Sequence, residues 1–319
     1  MTNARQYNWA RMCWRASSII LLCAVLAAQN APTFRAEVAL VHVDAEVVED
    51  GRVLSGFNKD DFRILDEGQP QPVLHFSAGD QALDLILLFD VSGSMRAVVE
   101  AVSAAAQQAL RELRPGDRVC VMVFNSRSRE LAGFTEDLSA VQKTIEDDLL
   151  HLRFGGGTRI QDAVDAAALR IMRVPRSERR RAVLIITDNM GVRTRREQSV
   201  VRDFWEADAL LSGLIVSNKV FRAIHTVGIV LGPQNLLMEA GMKGIAEKTG
   251  GDAIGARDAG TAFQESIHRI RSRYSLYYAQ PEGKPGSRRR IQVELTGDAA
   301  KQHRNARVRA RTGYAVPMN

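Results

Sequence analysis

The sequence predicts an α/β fold: a largely parallel sheet covered by helices on both faces, joined to a small antiparallel β module contributed by both chain ends. Three observations predict it. Two apolar runs, Leu85 to Phe89 and Ala182 to Thr187, have the length and continuity of strands buried on both faces. Strand-like and helix-like segments alternate from Leu83 to Arg271, the order that produces a parallel sheet. Outside that stretch, short alternating runs separated by turn residues read as antiparallel strands.

Residues 1–28 have the layout of a secretory signal: Arg5, Arg11 and Arg15 precede the apolar run Ala16 to Ala28, and small residues follow. That run is shorter than the roughly 20 residues a bilayer span needs, which favours cleavage over retention as an anchor. The expected address is secreted, periplasmic or in the cell envelope. Cys13 and Cys23 would leave with the signal. Cys120 would remain alone in an apolar strand, where it reads as a small buried hydrophobe.

In the N-terminal flank, 34–78, Phe34 to Val48 alternates: Val41, Val43, Ala45 and Val47 on a core face, His42, Asp44 and Glu46 on the other, as in a half-buried strand. Asp50-Gly51 makes a turn, and Phe62 to Leu65 and Pro72 to Phe76 flank a second turn at Asp66-Glu67-Gly68. The C-terminal flank, 272–315, offers strands at Tyr274 to Ala279, Ile291 to Leu295 and Ala306 to Arg311. Each flank has too few strands to be stable by itself, so the two are expected to pack together.

Within 83–271, a helical pattern from Val98 to Leu113 ends at Pro115-Gly116, and Val119 to Phe124 is the next strand. Ser139 to Leu152 and Arg159 to Met172 carry helical patterns on either side of the breaker Gly155-Gly156-Gly157. After the strand Ala182 to Thr187, Val200 to Ala209 reads as a helix. Leu211 to Val216 and Ala223 to Leu231 compete to be the following strand. Helices are expected at Leu236 to Lys248 and Thr261 to Arg273.

The 319 residues are 45% hydrophobic and 25% charged, ordinary for a globular protein, with a formal charge of +6. The excess is arginine-borne and scattered, as at Arg179 to Arg181, Arg193, Arg195 and Arg196, and Arg288 to Arg290. No aromatic-interleaved basic stripe accompanies it. The pattern points to a solvated basic surface, or attraction to acidic polymers and lipid headgroups, and away from specific nucleic-acid binding.

The chemistry gathers at strand ends. The first buried strand closes on Asp90, with Ser92 and Ser94 in the loop beyond it; the second closes on Asp188, and a glycine-sprung loop between them presents Thr158. Ligands of open α/β sheets bind outside the carboxyl ends of the strands. Two carboxylates and three hydroxyls, with no His or Cys, suit a hard cation such as Mg2+ or Mn2+ better than Zn2+. A cation held mainly by neutral hydroxyls keeps positive charge and an open position for an outside carboxylate. Asp162 and Asp165 share one helix face and read as solvated.

The set Asp90-Val91-Ser92-Gly93-Ser94, then Thr158 after glycines, then Asp188 after an apolar strand, resembles the metal-ion-dependent adhesion site of von Willebrand factor type A domains. The resemblance runs from about Leu83 to Ile270 and implies a doubly wound, mainly parallel Rossmann-like sheet. It implies Ser92 and Ser94 as direct metal ligands, Thr158 joining them in the ligand-bound form, Asp90 and Asp188 acting directly or through water, and a protein partner offering an Asp or Glu carboxylate. Asn189 departs from the glycine that often follows the second acid, and an altered loop shape is expected there. The flanks, with Asp61-Phe62, Asp66-Glu67-Gly68, Tyr274 to Tyr278 and Gly313-Tyr314, are similar to those of secreted acidobacterial proteins related to the family.

These readings converge on a non-enzymatic, metal-dependent binding protein. One alternative is a scaffold in which the metal staples loops. Another is a metal-dependent phosphohydrolase with Asp90 as nucleophile, which Ser92 speaks against, since it stands where such enzymes usually carry a second acid. A Ser-His-Asp triad is not supported either, because Ser92 lies outside a G-x-S-x-G turn.

Overall fold

Leu83 to Asp90 is buried along its whole length, with a strand on each side and helices over both faces. The computed structural model describes residues 39–192, 194–216, 238–239, 241–256 and 258–318. In chain order its first strands are β1 (Leu40–Glu49), β2 (Arg52–Leu54), β3 (Phe62–Asp66), β4 (Gln69–Gln71), β5 (His75–Ala78) and β6 (Leu83–Asp90). Helices α1 (Arg96–Ala104) and α2 (Ala106–Leu110) lead to β7 (Arg118–Phe124), β8 (Ser128–Thr135) and α3 (Leu138–Lys143). Then come α4 (Ile160–Met172), β9 (Arg180–Thr187), β10 (Met190–Gly191), α5 (Glu197–Ala207) and β11 (Leu210–Val216). They are followed by β12 (Met238–Glu239), α6 (Met242–Thr249), β13 (Ala253–Ala256) and α7 (Ala259–Arg271). The chain closes with β14 (Tyr274–Ala279), β15 (Arg288–Leu295), α8 (Gly297–Gln302), β16 (Arg307–Ala310) and β17 (Gly313–Ala315).

The central sheet has six strands in the order β8-β7-β6-β9-β11-β13, all parallel except the edge hairpin strand β8. Successive side chains of β6 point to opposite faces. Leu85, Leu87 and Phe89 pack in one core with Val99, Val102, Phe263 and Ile267 of α1 and α7. Ile86 and Leu88 pack in the other with Val164, Phe204 and Ile245 of α4, α5 and α6. The continuous apolar run is thus the signature of a strand with two cores to fill.

The flanks form two further sheets, β16-β1-β14-β5 with β2 paired to β1, and β17-β15-β3-β4. Each mixes strands from both chain ends, and a shared core joins them, including Val43, Ala45 and Leu276 from one sheet and Ile64, Ile291 and Tyr314 from the other. The α/β sheet with an antiparallel module from both flanks is therefore the fold the sequence predicts.

Several details differ. The turn at Asp66-Glu67-Gly68 forms, but β3 pairs with Gln69–Gln71, and His75–Ala78 crosses to the other sheet beside β14. The helical run from Val98 divides at Ala105, and the run from Ser139 gives α3 followed by a π turn at Thr144–Asp148. Of the two competing strands, Leu210–Val216 pairs with β9, while 223–231 and residues 1–28 lie outside the described residues. Asp165 is buried and ion-paired to Arg195 at 2.9 Å, so it is not solvated. Among the described residues no helix is long and apolar enough to cross a membrane.

The largest difference is the polar face of β1. The alternation predicts a solvent face for His42, Asp44 and Glu46; instead Asp44 and Glu46 meet arginines of the α/β unit, and His42 meets Asp44 and Asp208. Arg180, fully buried at the start of β9, donates to Asp44 at 2.8 Å, to the carbonyls of Ile270, Arg271 and Arg273 at 3.1, 3.0 and 2.7 Å, and to Ser275 at 2.8 Å. All five guanidinium N–H groups are thereby used. Glu46 takes a bidentate pair from Arg269, both contacts at 2.9 Å. Burial raises its pKa, but Arg273, Arg269 and Arg309 hold it below the usual carboxylate range. Arg180→Met should therefore deprive Asp44 of its arginine and the carbonyls at the end of α7 of their donor, and cost about 3–5 kcal/mol. Denaturant unfolding measures it, and a loss below about 1 kcal/mol would show that the pair is not a keystone.

The His42 ring lies 3.2 Å from Asp44 and 3.3 Å from Asp208, stacked on Tyr277. Burial lowers its pKa, yet the charges of Asp44 and Asp208 outweigh this and raise it from 6.5 to about 9. A raised histidine stabilises the fold fully below its unfolded value of 6.5 and loses that contribution as pH rises through about 9. Thermal midpoints recorded between about pH 7 and 10 should fall more steeply for the native chain than for His42→Gln. Parallel profiles would refute the linkage.

Candidate metal centre

Strands β6 and β9 are adjacent, with Phe89 opposite Ile186, and the chain order reverses between them: β7 and β8 lie to one side, β11 and β13 to the other. That reversal opens a crevice outside the carboxyl ends of the two strands. Asp90 and Asp188 stand at its floor.

Asp90 is fully buried; one carboxylate oxygen accepts from the Ser92 amide at 2.9 Å, the other from the Thr187 hydroxyl at 2.8 Å. Ser92 is extended, and a single 3-10 turn, Gly93–Met95, carries the chain into α1. The Ser94 hydroxyl donates to Asp188 at 2.7 Å and lies 3.4 Å from that of Ser92. Asp188 also accepts from the Met190 amide at 3.0 Å. One continuous chain of contacts thus links Asp90, Ser92, Ser94 and Asp188.

Thr158 is buried in the adjoining loop, and its hydroxyl is not part of that chain. Its carbonyl accepts from the Val192 amide at 3.1 Å, locking its loop to the one that follows Asp188. The approach needs Gly191, where an added Cβ would sit 2.8 Å from the Thr158 carbonyl oxygen. The glycine loop is tied in turn: Gly155 donates to the Val91 carbonyl and Arg159 to that of Asn125, each at 3.0 Å. The Asn125 side chain donates to the Gly155 carbonyl at 3.0 Å. Four loops form one platform. Asn189 takes the left-handed backbone, φ 60°, which asparagine tolerates where other side chains resist it. Its amide bonds Thr187 at 3.1 Å, so the loop stays anchored without a glycine.

Sequence reasoning passed over Thr187, Asn125 and Gly191. A polar residue closing an otherwise apolar strand was the available signal for the first two: Thr187 ends β9 and Asn125 follows β7. Gly191 had none, because its role is a contact across loops.

The electrostatics are distinctive. Seven carboxylates are buried among the described residues: Glu46, Asp66, Asp84, Asp90, Asp117, Asp165 and Asp188. Glu46, Asp66, Asp84, Asp117 and Asp165 each contact an arginine at 3.0 Å or less. Among the described residues Asp90 and Asp188 contact no arginine or lysine. Burial pushes the Asp90 carboxyl up to about 6, against hydrogen bonds from Ser92 and Thr187 and with a further push from Asp188. No group of three His, Cys, Asp or Glu side chains suited to a metal exists among the described residues; this donor set is two carboxylates with hydroxyls. Such oxygens fit a hard cation, which would neutralise the pair.

Residues 85–191 match the family model of the von Willebrand factor type A domain. Among solved structures, an aerotolerance-related membrane protein from Bacteroides fragilis aligns at 15% identity and TM-score 0.45, over 59% of this chain and 98% of its own. BatB from Bacteroides thetaiotaomicron aligns at 18% and 0.44, over 59% and 98%. Proximal thread matrix protein 1 from the mussel byssus aligns at 14% and 0.46, over 65% and 51%. Among curated proteins none matches the sequence. The fold is of the type A kind, a mainly parallel sheet between helices, here carrying the antiparallel sheets of the two flanks.

A buried carboxylate without a counter-charge works against folding. In chelator, Asp90→Asn should therefore raise stability by about 1–3 kcal/mol. Chemical unfolding of both forms checks this; a variant less stable than the native chain would mean that the hydrogen bonds to Asp90 outweigh its burial.

Proposed function

We propose that Asp90, Ser92, Ser94, Thr158 and Asp188 hold a divalent cation, Mg2+ or Mn2+, and that through it the protein captures an Asp or Glu side chain of a protein partner. The supporting observation is that, among the described residues, these two buried acids contact no arginine while the other five buried acids each do. Ser92 and Ser94 offer hydroxyl oxygens beside that pair, and Thr158 stands in a loop fixed to the one after Asp188. When bound, the ion supplies positive charge and a coordination position for the partner's carboxylate. The chain's own part is to hold its donors still. Thr187 and the Ser92 amide orient Asp90, the Met190 amide orients Asp188, and the stitched loops fix the spacing between them.

The type A core at 85–191 is in keeping with an interaction module and not an enzyme. The basic, then apolar, composition of residues 1–28 supports an address in the envelope or outside the cell. Isothermal titration with Mg2+ is the test. The native chain should bind; Ser92→Ala and Asp188→Ala should each weaken binding at least about tenfold while the far-ultraviolet spectrum stays unchanged. Equal affinity in all three proteins would remove the site.

A further inference from the structure

The four stitched loops carry a second feature, visible only once they are seen as one surface. Residues 91–96, 125–128, 153–159 and 189–196 contain no Asp or Glu, and among their described residues Arg96, Arg127, Arg153, Arg159, Arg195 and Arg196 are all exposed. Arg159 is tied to Asp162 at 2.7 Å, Arg195 to Asp165 at 2.9 Å, and Arg96 lies over the Phe154 ring at 4.5 Å. Among the described residues no ion pair or side-chain hydrogen bond engages the guanidinium groups of Arg127, Arg153 and Arg196. At the opposite edge of the sheet Arg118, Arg179, Arg180 and Arg271 each meet a buried or half-buried acid, whereas the exposed Arg111 and Arg173 there meet none among the described residues. Three exposed arginines without an ion partner, Arg127, Arg153 and Arg196, thus stand on the loops around Asp90 and Asp188.

From this placement we infer that the partner is an acidic protein segment, several carboxylates long, whose central acid reaches the cation site and whose flanking acids pair with Arg127, Arg153 and Arg196. The central contact rests on the metal reading above; the collar does not. Guanidinium forks match carboxylates in bidentate geometry. The four loop segments themselves carry no acid, and the nearby Asp162 and Asp165 are engaged by Arg159 and Arg195. Val192, 39% exposed in the same loops, is an apolar spot that a peptide side chain covers and a sulfated polymer does not. Three exposed pairs at about 0.5 kcal/mol each amount to about tenfold in affinity.

The test uses the full chain and fluorescence anisotropy with three probes: an alternating Asp-Glu octapeptide, a Gly-Ser octapeptide with one central Asp, and a heparin octasaccharide. In Mg2+ the acidic octapeptide should bind about tenfold tighter than the single-Asp peptide, a margin that shrinks as salt is raised. The triple variant Arg127→Gln, Arg153→Gln, Arg196→Gln should erase that margin and leave the affinities for Mg2+ and the single-Asp peptide unchanged. A margin that persists in the variant overturns the collar. The same arginine dependence shown by the octasaccharide, with no binding of the acidic peptide, overturns the partner class. Arginine-dependent peptide binding that survives chelator supports the collar and sinks the metal reading. Mg2+-dependent binding indifferent to the arginines does the reverse.

Discussion

One guanidinium holds the two halves of the molecule together. Arg180 begins the central strand β9, reaches Asp44 on β1 and Ser275 on β14, and accounts for three carbonyls at and just beyond the end of α7. A buried charge is tolerable only when it is paired and every donor is satisfied, and here both conditions hold. Around it the same edge of the sheet is sewn by Glu46 with Arg269, Asp117 with Arg271, and Asp208 with Arg311. Ionic contacts between units are directional in a way apolar contacts are not. The antiparallel module is consequently fixed in register on the amino edge of the α/β sheet.

That placement has a functional consequence. Arg180 and Asp188 stand at opposite ends of one buried strand, separated by about 25 Å at strand rise. The module occupies the amino edge, so it leaves the carboxyl edge with its platform of loops uncovered. A rigid strand between anchor and site also transmits position: what holds Arg180 in place holds the frame on which Thr187 and Asp188 are set. Gly191 and Asn189 then adjust only the last few residues.

What could be read from the sequence follows from the range of the forces involved. Asp90 and Asp188 were legible because strands with two cores to fill leave long apolar runs, and whatever polar residue ends such a run stands out. Glu46 was not legible. Its alternation with Val43, Ala45 and Val47 is that of a solvent face, and its partner Arg269 lies 223 residues away with no local trace. Arg180 likewise looked like one more surface arginine beside Arg179 and Arg181. Strand β8 escaped because an exposed edge mixes Arg129, Glu130 and Gly133 with apolar residues and shows no period. Asp165 misled for a related reason: helical spacing gave it a face, but not the loop that Arg195 lays over it.

The site poses a final electrostatic question. Two buried acids share their loops with a dense set of arginines, yet among the described residues none of these swings in to neutralise them. The contacts explain why. Asp162 on α4 accepts from Arg159 at 2.7 Å and from Thr194 at 2.9 Å, and Asp165 draws Arg195 away to 2.9 Å. Gln161 fixes the backbone there, accepting from the amides of Thr194 and Arg195 at 2.9 and 2.8 Å. Arg96 is held on the opposite flank by the Phe154 ring. One face of α4 therefore keeps Arg159 and Arg195 outward, and with Arg96 held by Phe154 these three cations leave the buried acids on the floor unpaired. A surface arranged in this way presents an anionic floor beneath a cationic rim.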